Sequence, residues 1–206
     1  SVLIPGWDMA NHANGIINTQ YNDETNQIES FALNDFAVGE QVTIAYGMRS
    51  NVDFLIHNGF VFPENENKDL CIKLSLSKSD ELYDDRVKLL QKLDMNPSGN
   101  FTISPVISNE LLAFVRVFNM NKDQIMTWSN QNTKDLLKTD LDLDAALQRK
   151  VVQFLLIRVK ILLKSFPVTA EEDKNLSKTK AMLIQYRMME KNILHDVEHY
   201  LEEKFK

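Results

Sequence analysis

Three groups of side chains in this 206-residue chain have the types and spacing that chemistry needs. The first is Trp7-Asp8-Met9-Ala10-Asn11-His12, directly after the apolar run Val2-Leu3-Ile4, which Pro5 closes. Loops that follow strands commonly carry functional groups. Asn11 and His12 supply hydrogen-bond donors and acceptors, and Trp7 supplies a flat wall. The same residues also suit a plain turn, with Asp8 or Asn11 capping a helix and His12 packed inside. No second His, Cys or carboxylate stands at ligand spacing, so no metal is expected. The second group is Tyr46-Gly47-Met48-Arg49, after the strand-like run Gln41 to Ala45. A Tyr there can present its hydroxyl to a pocket while Gly47 turns the backbone; a half-buried strand end is the plainer use. The third is a set of Met stripes, Met120, Met126, Met182, Met188 and Met189, which suit a helical core and, at most, partner docking. Cys71 sits in a strand pattern and reads as a packed core thiol. No Gly-rich phosphate loop and no Ser-His-Asp or Cys-His arrangement is present.

Charge is divided unevenly. From Ser1 to Phe62 the only base is Arg49, against seven acids, whereas the remaining residues balance. The whole net charge of −6 therefore lies in the first third. Such a region attracts a cationic cofactor or substrate, or is simply a solvated acidic surface. Arg49 is expected to pair with a carboxylate, in this chain or on a partner. A mildly acidic chain does not suit the nucleic-acid backbone, so no nucleic-acid partner is expected. With 44% hydrophobic and 25% charged residues, the chain is globular rather than disordered. One cysteine allows no internal disulfide and points to a reducing compartment. The greasiest stretch, Val151 to Leu163, is interrupted by Gln153, Arg158 and Lys160, so no membrane span is expected. The chain starts with Ser inside an apolar run and reads as a piece of a longer protein.

The elements that must position these residues change character near Pro63. Before it, Ile16 to Tyr21 alternates, Asn22-Asp23-Glu24 turns the chain, and Ile28 to Leu33 and Gln41 to Ala45 flank a loop, which predicts two small hairpins. Asp53 to Asn58 predicts a helical turn closed by Gly59. After it, Leu70 to Leu76 predicts one more strand, and the pattern is helical from about residue 79. Ser79 and Ser108 are read as N-caps. Asp142 to Phe166 predicts a long, central buried helix stopped by Pro167. Thr169 to Glu172 has a capping-box pattern, and a last helix is predicted from Lys178 to Glu203. The fold class is α+β, with a β-rich piece at 1–62 and an α-helical domain at 63–206.

Together these residues carry a family resemblance. Ile4 to His12, Phe31 to Gln41, Ala45 to Asn51 and Ile56 to Phe60 resemble the second half of a SET domain, with Asn-His followed about 35 residues later by Tyr-Gly. Leu112 to Phe118, Glu171 to Lys174 and Arg187 to Leu194 resemble the substrate-binding domain of the Rubisco large-subunit methyltransferase type. Within that type, Trp-Asp-Met-x-Asn-His and Tyr-Gly-x-Arg-Ser-Asn look most like the actin-histidine-methylating branch. The resemblance implies S-adenosylmethionine-dependent methyl transfer to protein, with actin as partner. It implies that Asn11, His12, Tyr46 and Asn58 contact the cofactor, that Tyr46 lies at the methyl-transfer channel, and that Trp7 and Arg49 contact the substrate. Asn58 stands where the family often has Ser, and Ala45 where relatives are bulkier. The Gly-containing cofactor loop of a first SET half is not in this sequence, so weak cofactor binding is expected of this stretch alone. A monomer in the cytoplasm, with the nucleus as a second compartment, is the matching expectation.

Two alternatives stay open: a lysine methyltransferase of the same family, and a non-catalytic substrate-binding piece. The nucleophile must be a neutral nitrogen. A free His is mostly neutral at pH 7, whereas a free Lys must first lose a proton, at a cost of about 4.6 kcal/mol. A histidine enzyme mainly needs to orient a flat ring, and Trp7 suits that by stacking.

Overall fold

The computed structural model describes residues 3–32, 34–166 and 177–204, except the side chain of Lys204. The expected stop at Pro167, the capping box at 169–172 and the segment 171–174 lie outside the described residues. The chain divides into two compact units, Ser1–Asn67 and Lys68–Lys206.

In the first unit, Pro5 and Gly6 open a tight turn in which Asp8 N donates to Ile4 O and Ile4 N donates to the Asp8 carboxylate. Trp7–Met9 is one 3-10 turn, so Leu3 and Ile4 lead into a turn rather than a strand. Strand β1 is Asn11–His12. β2 (Thr19–Asn22) and β3 (Gln27–Ser30) form the first expected hairpin, in the register Thr19↔Ser30 and Asn22↔Gln27. Asn22 closes its turn by accepting from Glu24 N and Thr25 N, the usual asparagine turn device. The second expected hairpin does not form. β4 (Thr43–Ile44) pairs in parallel with β1, Asn11↔Thr43 and His12↔Ile44. A parallel partner needs a long crossover, which local alternation does not reveal. α1 (Asn51–Asp53) starts at a Ser50/Asp53 capping box and continues as a π turn through Phe54–Asn58, ended by Gly59 at φ 76°.

Few apolar side chains are deeply buried in this unit: Ile44, Ala45 and Phe54 among the described residues. Two buried asparagines tie its loops instead. Asn18 donates to Phe31 O and accepts from Ala45 N, and Asn65 donates to Arg49 O and accepts from Asn67 N. Buried amides satisfied at both ends fix irregular backbone where no strand ladder can.

The second unit opens with an antiparallel hairpin, β5 (Leu70–Ser75) and β6 (Ser98–Ile103), with the helix α2 (Tyr83–Gln91) between the strands. The helical pattern expected from about residue 79 is thus interrupted by β6. Its signal is thin, because Ser98-Gly99-Asn100 mimics a loop and only Phe101 and Ile103 face inward. Cys71 is exposed, contrary to the packed thiol expected. Side chains alternate along a strand, and Ile72 and Leu74 take the core side. Ser79 is not a helix cap. It lies in a turn closed by Asp80 N to Ser77 O, and α2 begins four residues later.

α3 (Asn109–Asn119), capped by Ser108 as expected, is followed by α4 (Lys122–Ser129), α5 (Ala145–Ser165) and α6 (Lys178–Lys204). The central helix is α3, not α5. Six consecutive-turn residues of α3 are buried, Leu111 and Ala113 to Val117, whereas α5 shows Ile157 and Ile161 to solvent. α5 buries one stripe, Leu147, Val151, Leu155 and Val159, at the four-residue spacing of an amphipathic helix. The exposure of Cys71 predicts that folded protein is labelled stoichiometrically by an aromatic disulfide reagent without denaturant. A thiol that reacts only after unfolding would contradict the strand register.

Candidate functional site

The first unit contains a cleft of about 560 Å³. Its floor is the turn Trp7–Met9, with Ile4, Trp7, Asp8 and Ala10. One wall is the β2–β3 hairpin, through Thr19, Gln20, Tyr21 and Ile28, with Ile17 just before it. The other is the end of β4, through Ile44, Ala45 and Tyr46, with Arg49 and Asn58 beyond.

Tyr46 is held at both ends by the segment around β1. Its backbone N–H donates to His12 Nδ1 at 3.2 Å, and its hydroxyl donates to Ala10 O at 2.6 Å. The parallel β1–β4 pair makes this possible by setting Ala10 to His12 beside Ile44 to Tyr46. Gly47 takes φ 95°, a left-handed conformation that a side chain would strain; it lets the chain leave the strand directly after the tyrosine.

Trp7 is fixed through its indole N–H. Nε1 lies 2.9 Å from both Thr19 Oγ1 and Ser30 Oγ, and the two hydroxyls are 2.6 Å apart. The cross-strand pair Thr19↔Ser30 thus presents a two-oxygen acceptor to one donor. Each neutral hydrogen bond of this kind contributes about 1 kcal/mol, enough to hold a two-torsion side chain in one rotamer.

Arg49 donates from Nη1 to Asn58 Oδ1 at 3.2 Å. Among the described residues it makes no ion pair with a carboxylate of this chain, so the pairing expected within the chain is not found. Its exposed guanidinium stands beside the cleft.

His12 is half-buried among aromatic rings. Its ring centroid lies 4.7 Å from Phe54, 4.8 Å from Phe62 and 5.3 Å from Tyr46. Burial lowers its pKa below the ordinary 6.5; a contact with the Ile44 carbonyl opposes this, and the Arg49 cation adds to it. A neutral ring agrees with Nδ1 accepting from Tyr46 N. His12 and the exposed Asn11 lie outside the cleft lining, whereas Trp7, Tyr46, Arg49 and Asn58 share it. Sequence reasoning missed Thr19 and Ser30; their only signal was a pair of hydroxyls at matching hairpin positions. It read Asp8 only as a cap, yet this carboxylate also lines the cleft. Asp53 is held below the usual carboxylate range by the Ser50 hydroxyl, and serves α1 rather than the cleft. No cluster of metal-ligating side chains occurs among the described residues.

A family model described as Rubisco LSMT substrate-binding matches residues 77–194, more than half of the chain. The chain belongs to this family. Its sequence is 40% identical to an actin-histidine N-methyltransferase of Gallus gallus, over 93% of this chain and 35% of that protein. A protein of the same name from Xenopus tropicalis is 39% identical over the same shares. The chain thus spans about a third of the length of the curated relatives it matches. Among solved structures, the SET domain of LSMT bound to lysine and AdoHcy aligns with a TM-score of 0.76 and 20% identity, covering 98% of this chain and 49% of that one. Rubisco LSMT bound to AdoMet aligns equally well, covering 50% of that chain. The α+β class and the SET-like first unit follow from this likeness of fold, and the resemblance read from the motifs is borne out.

The environment of His12 gives a pH dependence with a definite sign. A lowered folded pKa means that the unfolded chain binds the proton first, so stability is full above about pH 6.5 and falls as pH drops toward the folded value. In urea titrations between pH 8 and 5, His12→Asn is expected to flatten this fall. An unchanged pH profile in the variant would contradict the buried neutral ring.

Proposed function

We propose that the protein is an S-adenosylmethionine-dependent protein-histidine N-methyltransferase whose substrate is actin. The likeness to the actin-histidine N-methyltransferases supports the class. The observation that carries the choice of nucleophile is the chemistry of the cleft. Three aromatic side chains, Trp7, Tyr21 and Tyr46, line it, and its one carboxylate, Asp8, has Oδ2 engaged by Ile4 N. An anion beside a lysine ammonium would stabilise the charged form and raise the cost of removing its proton. A neutral imidazole needs no such step; it needs apolar faces to lie against, and Trp7 and Tyr46 both line the cleft.

The residues present fit the methyl-bearing end of the donor. Aromatic faces, the Asp8 carboxylate and the Ala10 carbonyl all favour a sulfonium cation. When bound, S-adenosylmethionine supplies an electrophilic methyl on sulfur. Within the cleft Tyr46 and Asn58 would hold it; Asn11 and His12 are assigned to it by resemblance. Trp7 orients the target ring, and Arg49 engages an acceptor on the substrate protein. Transfer would form the ring N–CH3 bond as the donor's S–CH3 bond breaks, the electron pair staying on sulfur in a neutral thioether; the positive charge that develops on the imidazole would be stabilised by the same faces and the Asp8 carboxylate until its N–H proton leaves to water. The pinned hydroxyl of Tyr46 and the carbonyl of Ala10 set the polarity at that point without moving. An actin substrate supports a cytoplasmic location, with the nucleus as a second compartment.

Mass spectrometry of actin after incubation with the protein and S-adenosylmethionine tests this. Methyl on histidine is expected, with Tyr46→Phe lowering kcat by roughly 10²-fold and Trp7→Ala acting mainly on KM. Methyl found only on lysine would overturn the assignment of the nucleophile.

A further inference from the structure

The helical unit has a cavity of about 150 Å³, lined from α3, α5, α6 and the loops at residues 106–107 and 139. Its lining is apolar apart from Arg116, Thr139, Gln148 and Tyr200. Arg116 is only 2% exposed. Its Nη1 donates to Leu136 O and Lys138 O, both at 2.6 Å. Its Nε is buried with no partner, and so is Gln148 Oε1 in the same lining. Among the described residues no carboxylate pairs with Arg116, and none lines the cavity. Burial lowers its pKa, yet a guanidinium remains charged near neutrality. Two carbonyl dipoles are a partial answer to a full buried charge, which ordinarily has a counter-ion.

We propose that this cavity binds a small carboxylate monoanion on Arg116. With Nη1 committed to two carbonyls, the N–H groups left over are on the Nε–Nη2 edge, a planar fork that matches two carboxylate oxygens. A half-turn of the Gln148 amide replaces its unpaired acceptor with an NH2 donor toward the anion. The volume admits an anion of one to three carbons and excludes a nucleotide. Exposed Thr139 and Val106 in the lining open a route from solvent. The apolar remainder, Leu112, Val151 and Leu155 among them, favours a short alkyl group over a multivalent ion. The site is built wholly from residues of the second unit.

Sodium acetate is the probe, titrated into the protein at constant ionic strength against sodium chloride. Saturable line broadening of ¹³C-labelled acetate and a saturating rise in Tm are expected with acetate and not with chloride. Gln148→Met keeps the buried arginine and is expected to weaken acetate binding by about tenfold; Arg116→Met is expected to abolish it. Should Arg116→Met fail to fold, Gln148→Met decides alone. Equal responses to acetate and chloride, or no change in Gln148→Met, would overturn the site.

Discussion

The first unit depends on one short parallel contact. Two residues of β1 lie beside two of β4, and that pairing lets Ala10 and His12 take both polar ends of Tyr46. A two-residue ladder adds little stability by itself. Its value is positional: the backbone of Tyr46 is tied to His12 at the root and the phenol to Ala10 by a 2.6 Å bond at the tip, so the ring cannot swing without breaking the hydroxyl bond. The aromatic packing of His12 against Phe54 and Phe62 supports the same geometry from the far side. His12 therefore acts on the cleft through Tyr46 rather than by facing it.

Trp7 and the hairpin make the complementary arrangement. The indole N–H is spent on Thr19 and Ser30, so the ring offers only its faces to an occupant. An apolar face, a fixed phenol and a carboxylate share one cleft, a combination that favours a flat ring able to become a cation. Electrostatics at longer range agree, since the first third of the chain carries the entire net charge of −6. Arg49, bonded to neutral Asn58 rather than to an acid, keeps its charge available for an external partner.

Local signals were legible in the sequence. The β2–β3 hairpin, the Ser108 cap, the helix over residues 178–204 and the turn closed by Gly59 each follow from neighbouring residues, and each is present. What failed was non-local. The β4 alternation was visible, but its partner thirty residues away was not. The strand β6 was hidden behind Gly and Pro, and the exposure of Cys71 turned on a register that only β6 pairing and core packing fix. In the same way, the sequence pointed to Trp7, Tyr46, Arg49 and Asn58, which share the cleft. It had no means of pointing to Thr19 and Ser30, whose role exists only once the hairpin is folded against the indole. Composition makes the apolar stretch Asp142 to Phe166 the central helix, yet α3 is more deeply enclosed, with Ala113 to Val117 buried in succession.

The proposed function requires the Trp7–Tyr46 cleft to receive an imidazole. The two tryptophans allow a direct measurement, since Trp128 lies in the other unit and serves as an internal control. Indole N–H signals followed by NMR during titration with a histidine-containing actin peptide should show the Trp7 resonance moving saturably while that of Trp128 stays in place. A stationary Trp7 signal under saturating peptide would contradict the account.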